Sequence, residues 1–278
     1  MRISIEELEH AAAPGWRAPE EERLGDWLLR AAGGFTGRAN SALAAGEPGL
    51  PLAHAVAAVR RWYDARSLPA MICVPFPASG PAGTELDRLL ASLGWHVRED
   101  AAVVMTGDAA AVAARGGPAT AAAVLRPRPD QDWLKRYHYR GRPMPPAALG
   151  VLTSAPWQEF GSIVWSGRTV AIGRVAGAGD WAGLTAIEVD RELRGRGLGA
   201  AITAALAAQA AGRNVRNLYL QVTTHNVAAR SLYRKLGFAD HHQYHYRVAP
   251  AAAGAGTAES APGSGSRLRT RPDRTAAT

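Results

Sequence analysis

The feature that most constrains the fold is a short run of arginine and glycine, RGRGLG at residues 194–199. It lies between an apolar run that predicts a strand, residues 184–189, and an alanine-rich run that predicts a helix, residues 200–210. Glycine lets the backbone approach a ligand without a Cβ clash, and the N-terminus of the following helix favours negative charge. Arg194 and Arg196 add charge-assisted hydrogen bonds. The run predicts a pyrophosphate site, although by itself it has equal weight as an arginine-rich turn without a ligand.

A second motif follows a predicted strand at residues 217–222. It is NVAARSLYRKLGF at residues 226–238, a pattern typical of a short helix that ends at a glycine. The two motifs, in this order and separation, resemble the GNAT superfamily of acyl-CoA-dependent N-acyltransferases. The resemblance covers about residues 124–248 and is most specific over residues 186–238. It implies an α+β fold, in which helices flank a central, mostly antiparallel twisted sheet.

The resemblance also implies an activity and the residues that perform it. An acetyl group would pass from acetyl-CoA to a primary amine, such as an amino acid or another small amine, by direct attack within a ternary complex. Tyr233 would protonate the departing thiolate, with a packing role as the alternative. The residues implied in cofactor binding are Ile187, Val189, Arg194, Gly195, Arg196, Gly197, Leu198, Gly199, Ala200 and Asn226. The backbone of residues 187–189 would also stabilise the oxyanion of the tetrahedral intermediate.

The catalytic base is harder to assign. Many family members carry a glutamate early in the strand before the loop, but here residues 181–184 are WAGL. Glu188 is our candidate, and a solvent-facing role has equal weight for it. His225 is a second candidate. We expect acceptor recognition from residues 133–139, from the loop around Trp157 and from residues 30–40, where a glycine-rich run with one arginine predicts either a carboxylate site or a tight connection.

The first half of the chain repeats the end of the second. Residues 86–95, LDRLLASLGW, match residues 231–238, SLYRKLGF, and each segment precedes a predicted strand. The match places Leu90 opposite Tyr233 and Gly83 opposite Asn226. The loop opposite the arginine-glycine run is GEPGLP at residues 46–51, whose carboxylate would repel a pyrophosphate. The first half therefore resembles a degenerate copy, and the whole chain is similar to bacterial tandem GNAT proteins labelled N-acetylglutamate-synthase-like.

These patterns predict the domain organisation. We expect a degenerate GNAT-like domain at residues 1–115, an acetyltransferase domain at residues 116–249 and a linker near residues 107–123. Residues 250–278 are rich in Ala, Gly, Ser, Thr and Pro and carry four arginines, which predicts a disordered basic tail. The sequence leaves the oligomeric state open, and a homodimer is compatible with it.

The composition limits the kinds of ligand, disulfide and metal site that this chain can contain. The net charge of +8 suits a polyanionic ligand, but the basic residues are scattered and do not alternate with aromatic residues, which argues against nucleic acid. The single Cys73 excludes an internal disulfide and predicts a buried structural thiol. We expect His241, His242 and His245 to be surface residues rather than metal ligands, so no metal site is predicted.

The sequence also predicts where the protein is located and allows a second, non-catalytic function. No apolar run approaches the length of a membrane helix, and the N-terminus lacks a secretory signal, so we expect a cytoplasmic protein without a membrane partner. The rival function is a non-catalytic acyl-CoA sensor or interaction protein, which the sequence favours if no carboxylate or histidine reaches the cleft.

Overall fold

A computed structural model describes residues 3–78, 84–98, 101–137 and 144–251, without the side chain of Ala121. Gly83 and the predicted tail from residue 252 lie outside the described residues, as do residues 138 and 139 of the predicted acceptor segment. No helix in the described part of the chain is long and apolar enough to cross a membrane.

Twelve strands and eight α-helices form in the described ranges. The strands are β1 (Glu20–Leu24), β2 (Trp27–Ala31), β3 (Ala42–Leu43), β4 (Met71–Pro77), β5 (His96–Val97), β6 (Ala102–Asp108), β7 (Ala123–Arg126), β8 (Trp157–Trp165), β9 (Arg168–Ala178), β10 (Trp181–Val189), β11 (Asn217–Thr223) and β12 (Ala239–Val248). The helices are α1 (Ile5–Ala12), α2 (Leu52–Asp64), α3 (Glu85–Ser92), α4 (Ala109–Ala113), α5 (Gln131–Arg136), α6 (Ala147–Leu152), α7 (Leu198–Gly212) and α8 (Val227–Lys235). Three 3₁₀ turns lie at Ala13–Trp16, Pro118–Ala122 and Arg191–Leu193.

The helices begin and end where the sequence provides capping residues. Ser4 forms a capping box with Glu7 at the start of α1, and Asp130 accepts a hydrogen bond from the backbone of Trp133 at the start of α5. Gly94 and Gly237 follow α3 and α8 with positive φ angles of 76° and 95°. These two glycines are the pair matched by the sequence repeat, so both copies end their helix in the same way.

All the strands belong to one mostly antiparallel sheet in the order β1-β2-β3-β4-β12-β6-β11-β10-β9-β8-β7, with β5 paired to β12. The strand order from β1 to β4 in the first half is the same as the order from β8 to β11 in the second half. Three antiparallel strands lead to a parallel neighbour, β4 beside β3 and β11 beside β10. A helix, α2 or α7, connects each parallel pair, as a parallel connection requires.

At the centre of the sheet the final strands of the two halves are exchanged. β12, the last strand of the chain, lies between β4 and β6, and β6 lies between β12 and β11. The sheet is therefore continuous across the predicted boundary at residues 115 and 116. That boundary stays a prediction, but the halves are not separate sheets.

The segment predicted as a linker, residues 107–123, is folded and packed into the core. This segment contains the end of β6, the helix α4 and the 3₁₀ turn Pro118–Ala122, and α4 packs against α7. Ala109 and Val112 are fully buried in the core of the second half. The small residues that indicated a flexible connection instead allow close packing of α4 on the alanine-rich α7.

The helix α7 covers one face of the second half of the sheet. It is apolar on all sides, and most of its residues are buried beneath α4 and against the sheet. On the opposite face, α1, the turn Ala13–Trp16, α5 and α6 pack over strands from both halves. Cys73 is buried there, as predicted from the sequence. The face under α7 is packed with apolar side chains, whereas the opposite face also buries the charged residues Arg30 and Arg174.

Candidate functional site at the junction of the two halves

The arginine-glycine loop connects β10 to the N-terminus of α7. Gly195 and Gly197 have φ angles of 77° and 80°, and Gly197 is the N-cap of α7. A Cβ built on either glycine would meet no protein atom within 4 Å, so the space above the loop is open. The first backbone N–H groups of α7 have no partner within the helix and point towards this space. The loop thus has the backbone conformation and open approach that an anionic ligand needs.

Charged side chains fix the start of the loop. Asp190 accepts hydrogen bonds on Oδ2 from Arg136 at 2.9 Å and from Arg168 at 3.0 Å. Desolvation raises the pKa of Asp190, but the two guanidinium groups outweigh it and leave the pKa below its usual value. Arg194 donates from Nε to the carbonyl of Val189 at 3.3 Å, and the Arg196 guanidinium lies 5.8 Å from the Trp165 ring centroid. Both loop arginines are exposed.

β10 separates from β11 just before the loop. The parallel pairing runs only from Trp181 opposite Asn217 to Leu184 opposite Leu220, although β11 continues to Thr223. On its other side, β10 has a bulge between Thr185 and Glu188 where it pairs with β9, and Ala186 has a positive φ of 54°. A bulge bends its strand, and here the bend moves the end of β10 away from β11. The predicted binding residues Ile187 and Val189 lie on this separated end.

The side chains of the separated end alternate between the two faces of the sheet. Ile187 and Val189 pack into the core beneath α7, and Val189 lies beside Gly199. Glu188 is half-exposed and, by alternation, belongs to the opposite face. It is not among the residues that line the cavity described below. The structure thus leaves its role as a base a prediction.

Tyr233 and Asn226 lie on and before α8. Tyr233 is buried in the core on the α7 face, and its hydroxyl makes no hydrogen bond to a described residue. Burial raises the pKa of Tyr233 to about 12, so the phenol keeps its proton at neutral pH. Asn226 is exposed and caps α8 by accepting a hydrogen bond from the backbone of Ala229 at 3.1 Å. His225, the second candidate base, is also exposed.

A cavity lies on the other face of the sheet, beside the point where β10 and β11 separate. Gly183 and Thr185 of β10 and Tyr219 and Gln221 of β11 form one wall. Arg174 of β9 also lines the cavity. The other lining residues come from the first half and from β12: Glu9, Ala12, Ala13, Gly15, Trp16, Arg30, Arg38, Cys73, Tyr244 and Tyr246. A water-sized sphere can enter about 30 Å³ of this cavity, which is room for about two water molecules.

The arginines of this cavity are unusual because they lack acidic partners. Arg174 is fully buried and donates to the carbonyl oxygens of Leu152 at 2.7 Å and Gly15 at 3.0 Å. Desolvation lowers the pKa of Arg174 to about 10, so it remains charged at neutral pH. Arg38 donates to Oε1 of Gln221 at 2.8 Å and lies 4.4 Å above the Trp16 ring. Within the described ranges, neither arginine has a carboxylate within ion-pair distance.

The expectation that all three histidines of β12 are surface residues is wrong. His242 is fully buried, and its Nε2 lies 2.8 Å from Oε1 of Glu9 on α1. His245 is mostly buried, and its Nε2 lies 2.7 Å from Oδ1 of Asp87 on α3. Exchange of the last strand places β12 in the centre of the sheet, where its polar side chains need partners from the first half. The described residues contain no cluster of three potential metal ligands.

The sequence indicated the loop, but it did not indicate Glu9, Arg174 or Arg136. Glu9 is one acidic residue of an amphipathic helix, and Arg174 lies within an otherwise apolar strand. A charged residue at an inward position of a buried strand is the one signal that pointed to Arg174. For Glu9, whose partner is 233 residues away, the sequence carries no local signal.

Comparison with known proteins gives consistent matches over nearly the whole chain. Residues 3–247 match the family described as probable histone acetyltransferase Rv0428c C-terminal. The probable histone acetyltransferase Rv0428c of Mycobacterium tuberculosis is 34% identical over 262 residues, which cover 89% of this chain and 74% of that protein. The uncharacterized N-acetyltransferase YobR of Bacillus subtilis is 27% identical over 249 residues, covering 88% and 98% of the two chains.

Solved structures show the same fold at lower identity. A GCN5-related N-acetyltransferase from Kribbella flavida has a TM-score of 0.65 at 17% identity and covers 90% of this chain and 97% of its own. A tandem GNAT protein from the clavulanic acid biosynthesis pathway has a TM-score of 0.51 at 19% identity, covering 71% and 67%. Helices flanking a central, mostly antiparallel sheet are therefore shared by these proteins.

Proposed function

Because the chain belongs to the GNAT superfamily, within the family of the Rv0428c C-terminal region, we propose that it is an N-acetyltransferase that transfers an acetyl group from acetyl-CoA to a primary amine. Its relatives are N-acetyltransferases of the GNAT type. The observation that carries the proposal is the open loop at residues 194–199, which follows a strand that separates from its parallel neighbour.

The loop and the separated strand suit the two ends of acetyl-CoA. The N–H groups at the start of α7, with Arg194 and Arg196, would bind the pyrophosphate. The end of β10, at Ile187, Glu188 and Val189, lies beyond the last residue paired with β11, and its backbone on that side would pair with the pantetheine arm. Asn226 already caps α8, so its side-chain amide nitrogen is the group available for the ligand.

We expect the acceptor amine and the group that assists the departing thiol to act from opposite faces of the sheet. An amine held beside the cavity would attack the thioester carbonyl at the strand separation from one face. Tyr233, on the other face, would donate a hydrogen bond to the departing sulfur. The pKa of about 12 exceeds the value of about 8.5 for an ordinary thiol. The phenol is therefore a weaker acid than the thiol, so it donates a hydrogen bond to the departing thiolate and keeps its own proton.

The first half contributes to this proposed site although its own loop lacks the binding chemistry. Residues 46–51 form its connection between β3 and α2, and Asp26 accepts a hydrogen bond from the backbone of Glu47. A loop that already holds two carboxylates disfavours a pyrophosphate. We therefore propose a tandem arrangement with one acetyl-CoA site, with domains at residues 1–115 and 116–249. The cytoplasmic location, the basic tail and the homodimer stay predictions.

The experiment that tests the proposal combines acetyl-CoA binding with thiol release over a panel of amines. We expect saturable acetyl-CoA binding and release of free CoA that depends on an added amine. The panel should include small amines, amino acids and lysine peptides, since one relative is called a probable histone acetyltransferase. Binding without turnover on any amine would instead support the acyl-CoA sensor, and absence of binding would refute both functions.

A further inference from the structure

The cavity beside the strand separation carries an excess of positive charge, in which Arg30 and Arg174 are buried and Arg38 is partly buried. Its lining includes three guanidinium groups, Arg30, Arg38 and Arg174, but only one carboxylate, Glu9. Arg30 is 5% exposed and donates to the backbone carbonyl and the hydroxyl of Ser41, both at 3.2 Å. Neutral oxygens thus satisfy part of the hydrogen-bonding capacity of these arginines, while their charge stays unbalanced among the described residues. Buried charges without partners are costly, and an anionic ligand would remove that cost.

Arg38 is the guanidinium group best placed to meet a ligand. It comes from the loop between β2 and β3 of the first half, yet it reaches Gln221 on β11, next to the last residue paired with β10. Only one of its N–H groups is used in a hydrogen bond to a described residue. Stacking on Trp16 holds its plane in position. The fork of remaining donors suits a carboxylate.

The size of the cavity agrees with that ligand group. A space for about two water molecules can take a small polar group such as a carboxylate, but not a whole substrate. We propose that this cavity is a carboxylate subsite, and that the acceptor amine is a small amino acid or related zwitterion whose carboxylate meets Arg38. This inference rests on the proposed acetyl transfer and names its substrate class. A lysine within a cationic protein segment brings no carboxylate and would be repelled.

Pairs of amines that differ only in the carboxylate test this inference. The probes are L-lysine against cadaverine and L-phenylalanine against phenethylamine, with an end-blocked lysine peptide as the protein-like substrate. We expect kcat/KM for at least one amino acid to exceed that of its matched amine by about 30-fold. Arg38→Gln should raise KM for that amino acid by about 30-fold and leave the matched amine unchanged. Arg61→Gln, at an exposed position of α2, is the charge control and should leave both rates unchanged.

Thermal stabilisation by the same compounds separates this inference from the acetyl transfer itself. If amino acids stabilise the protein through Arg38 but no amine is acetylated, the subsite stands and the proposed activity fails. If amines are acetylated equally with and without a carboxylate, or if the lysine peptide is the best substrate, the activity stands and the subsite is refuted. Equal loss on both members of a pair in Arg38→Gln also refutes it.

The side chains of Glu9, His242 and His241 form a continuous hydrogen-bonded chain from the cavity to the protein surface. Glu9 Oε1 lies 2.8 Å from His242 Nε2, His242 Nδ1 lies 2.9 Å from His241 Nδ1, and His241 Nε2 lies 3.0 Å from the carbonyl oxygen of Ile3. His241 also lines a surface cleft with Glu7 and Asp240. Glu9 lines the cavity, and its second oxygen, Oε2, makes no hydrogen bond to a described residue.

The contacts of this chain suit proton transfer. The carbonyl of Ile3 only accepts, so a hydrogen bond to it uses a proton on His241 Nε2. In each of the other two contacts, either atom can donate or accept, depending on where the proton lies. A chain of such groups can pass a proton from one end to the other.

The geometry points to Glu9 as a catalytic base that takes the ammonium proton of the acceptor. An N–H bond of the acceptor ammonium group breaks, and Oε2 of Glu9 gains the proton. At the other end of the chain, His241 releases a proton to water in the surface cleft. The number of protons on the chain is unchanged. Other groups facing Glu9 are Cys73 on β4, Tyr219 on β11 and Tyr244 on β12, with Arg30, Arg38 and Arg174 around the same cavity. Burial raises the pKa of the thiol and of both phenols, so these three stay neutral.

The pH dependence of Glu9→Gln tests this role. We expect kcat to fall by about 30-fold at neutral pH and the deficit to shrink as the pH rises above the pKa of the amine, because the amine then arrives without its extra proton. His241→Gln should give a smaller deficit with the same pH trend. Glu6→Gln, at an exposed position of the same helix, is the control. A deficit that does not change with pH, or no deficit, would show that Glu9 is structural or dispensable.

Discussion

Replacing Tyr233 by Phe is expected to lower kcat by about 100- to 1000-fold, with acetyl-CoA binding unchanged. The reason is the loss of one hydrogen-bond donor that acts on the departing sulfur, a contribution of this size when such donors are removed from other enzymes. Steady-state rates with the best amine of the panel, together with equilibrium binding of acetyl-CoA, measure the two effects separately.

The structure predicts that this substitution changes the free energy of unfolding very little. The Tyr233 hydroxyl makes no hydrogen bond to a described residue, and the ring keeps its edge contact with Phe238 at 5.9 Å. We therefore expect the free energy of unfolding to change by less than about 0.5 kcal/mol. A reduced kcat at unchanged stability would support the role of the phenol. A wild-type rate would identify Tyr233 as a packing residue of the α7 core.

Gly197→Ala is expected to weaken acetyl-CoA binding by about 10- to 100-fold. The added methyl group projects into the open space above the loop and holds the pyrophosphate away from the N–H groups of α7. Loss of one charge-assisted hydrogen bond costs about 1.5–3 kcal/mol. The φ of 80° also strains any residue other than glycine by about 1–2 kcal/mol.

Gly179→Ala separates the strain from the effect on binding. Gly179 has a φ of 56° and, like Gly197, no atom within 4 Å of an added Cβ. It lies in the turn between β9 and β10, at the end of β10 away from the loop. Both variants should lose similar stability, but only Gly197→Ala should change the dissociation constant of acetyl-CoA, measured by titration. Equal affinities in the two variants would place the pyrophosphate elsewhere.

Local patterns in the sequence predicted much of the second half. The bounds of α7 and β11 follow from an alanine-rich run and an alternating run, and the repeat correctly paired Gly94 with Gly237. The α+β fold with a mostly antiparallel sheet and the GNAT resemblance are confirmed. The bounds of the helices and strands and the glycines that end α3 and α8 depend on local contacts, which periodicity and capping indicate directly.

The features that the sequence did not predict depend on distant contacts. His242 lies in a run of polar residues, HHQ, and resembles a surface residue until β12 is placed between β4 and β6. Arg38 and Gln221 are 183 residues apart, so no local pattern connects them. The packing of residues 107–123 was not foreseen because small residues suit both a flexible connection and close helix packing. The assignments of Tyr233, Asn226, Glu188 and the loop as functional residues stay predictions.

The exchanged strands have a consequence for synthesis on the ribosome. β4 is complete early in translation, but its neighbour β12 leaves the ribosome only after residue 248 has been added. Until then β4 and β6 expose edges that bind other strands readily, a state that favours aggregation. The first half therefore cannot mature ahead of the second, as domains usually do. The cavity with Glu9 and Arg38 forms only when the whole chain has been made.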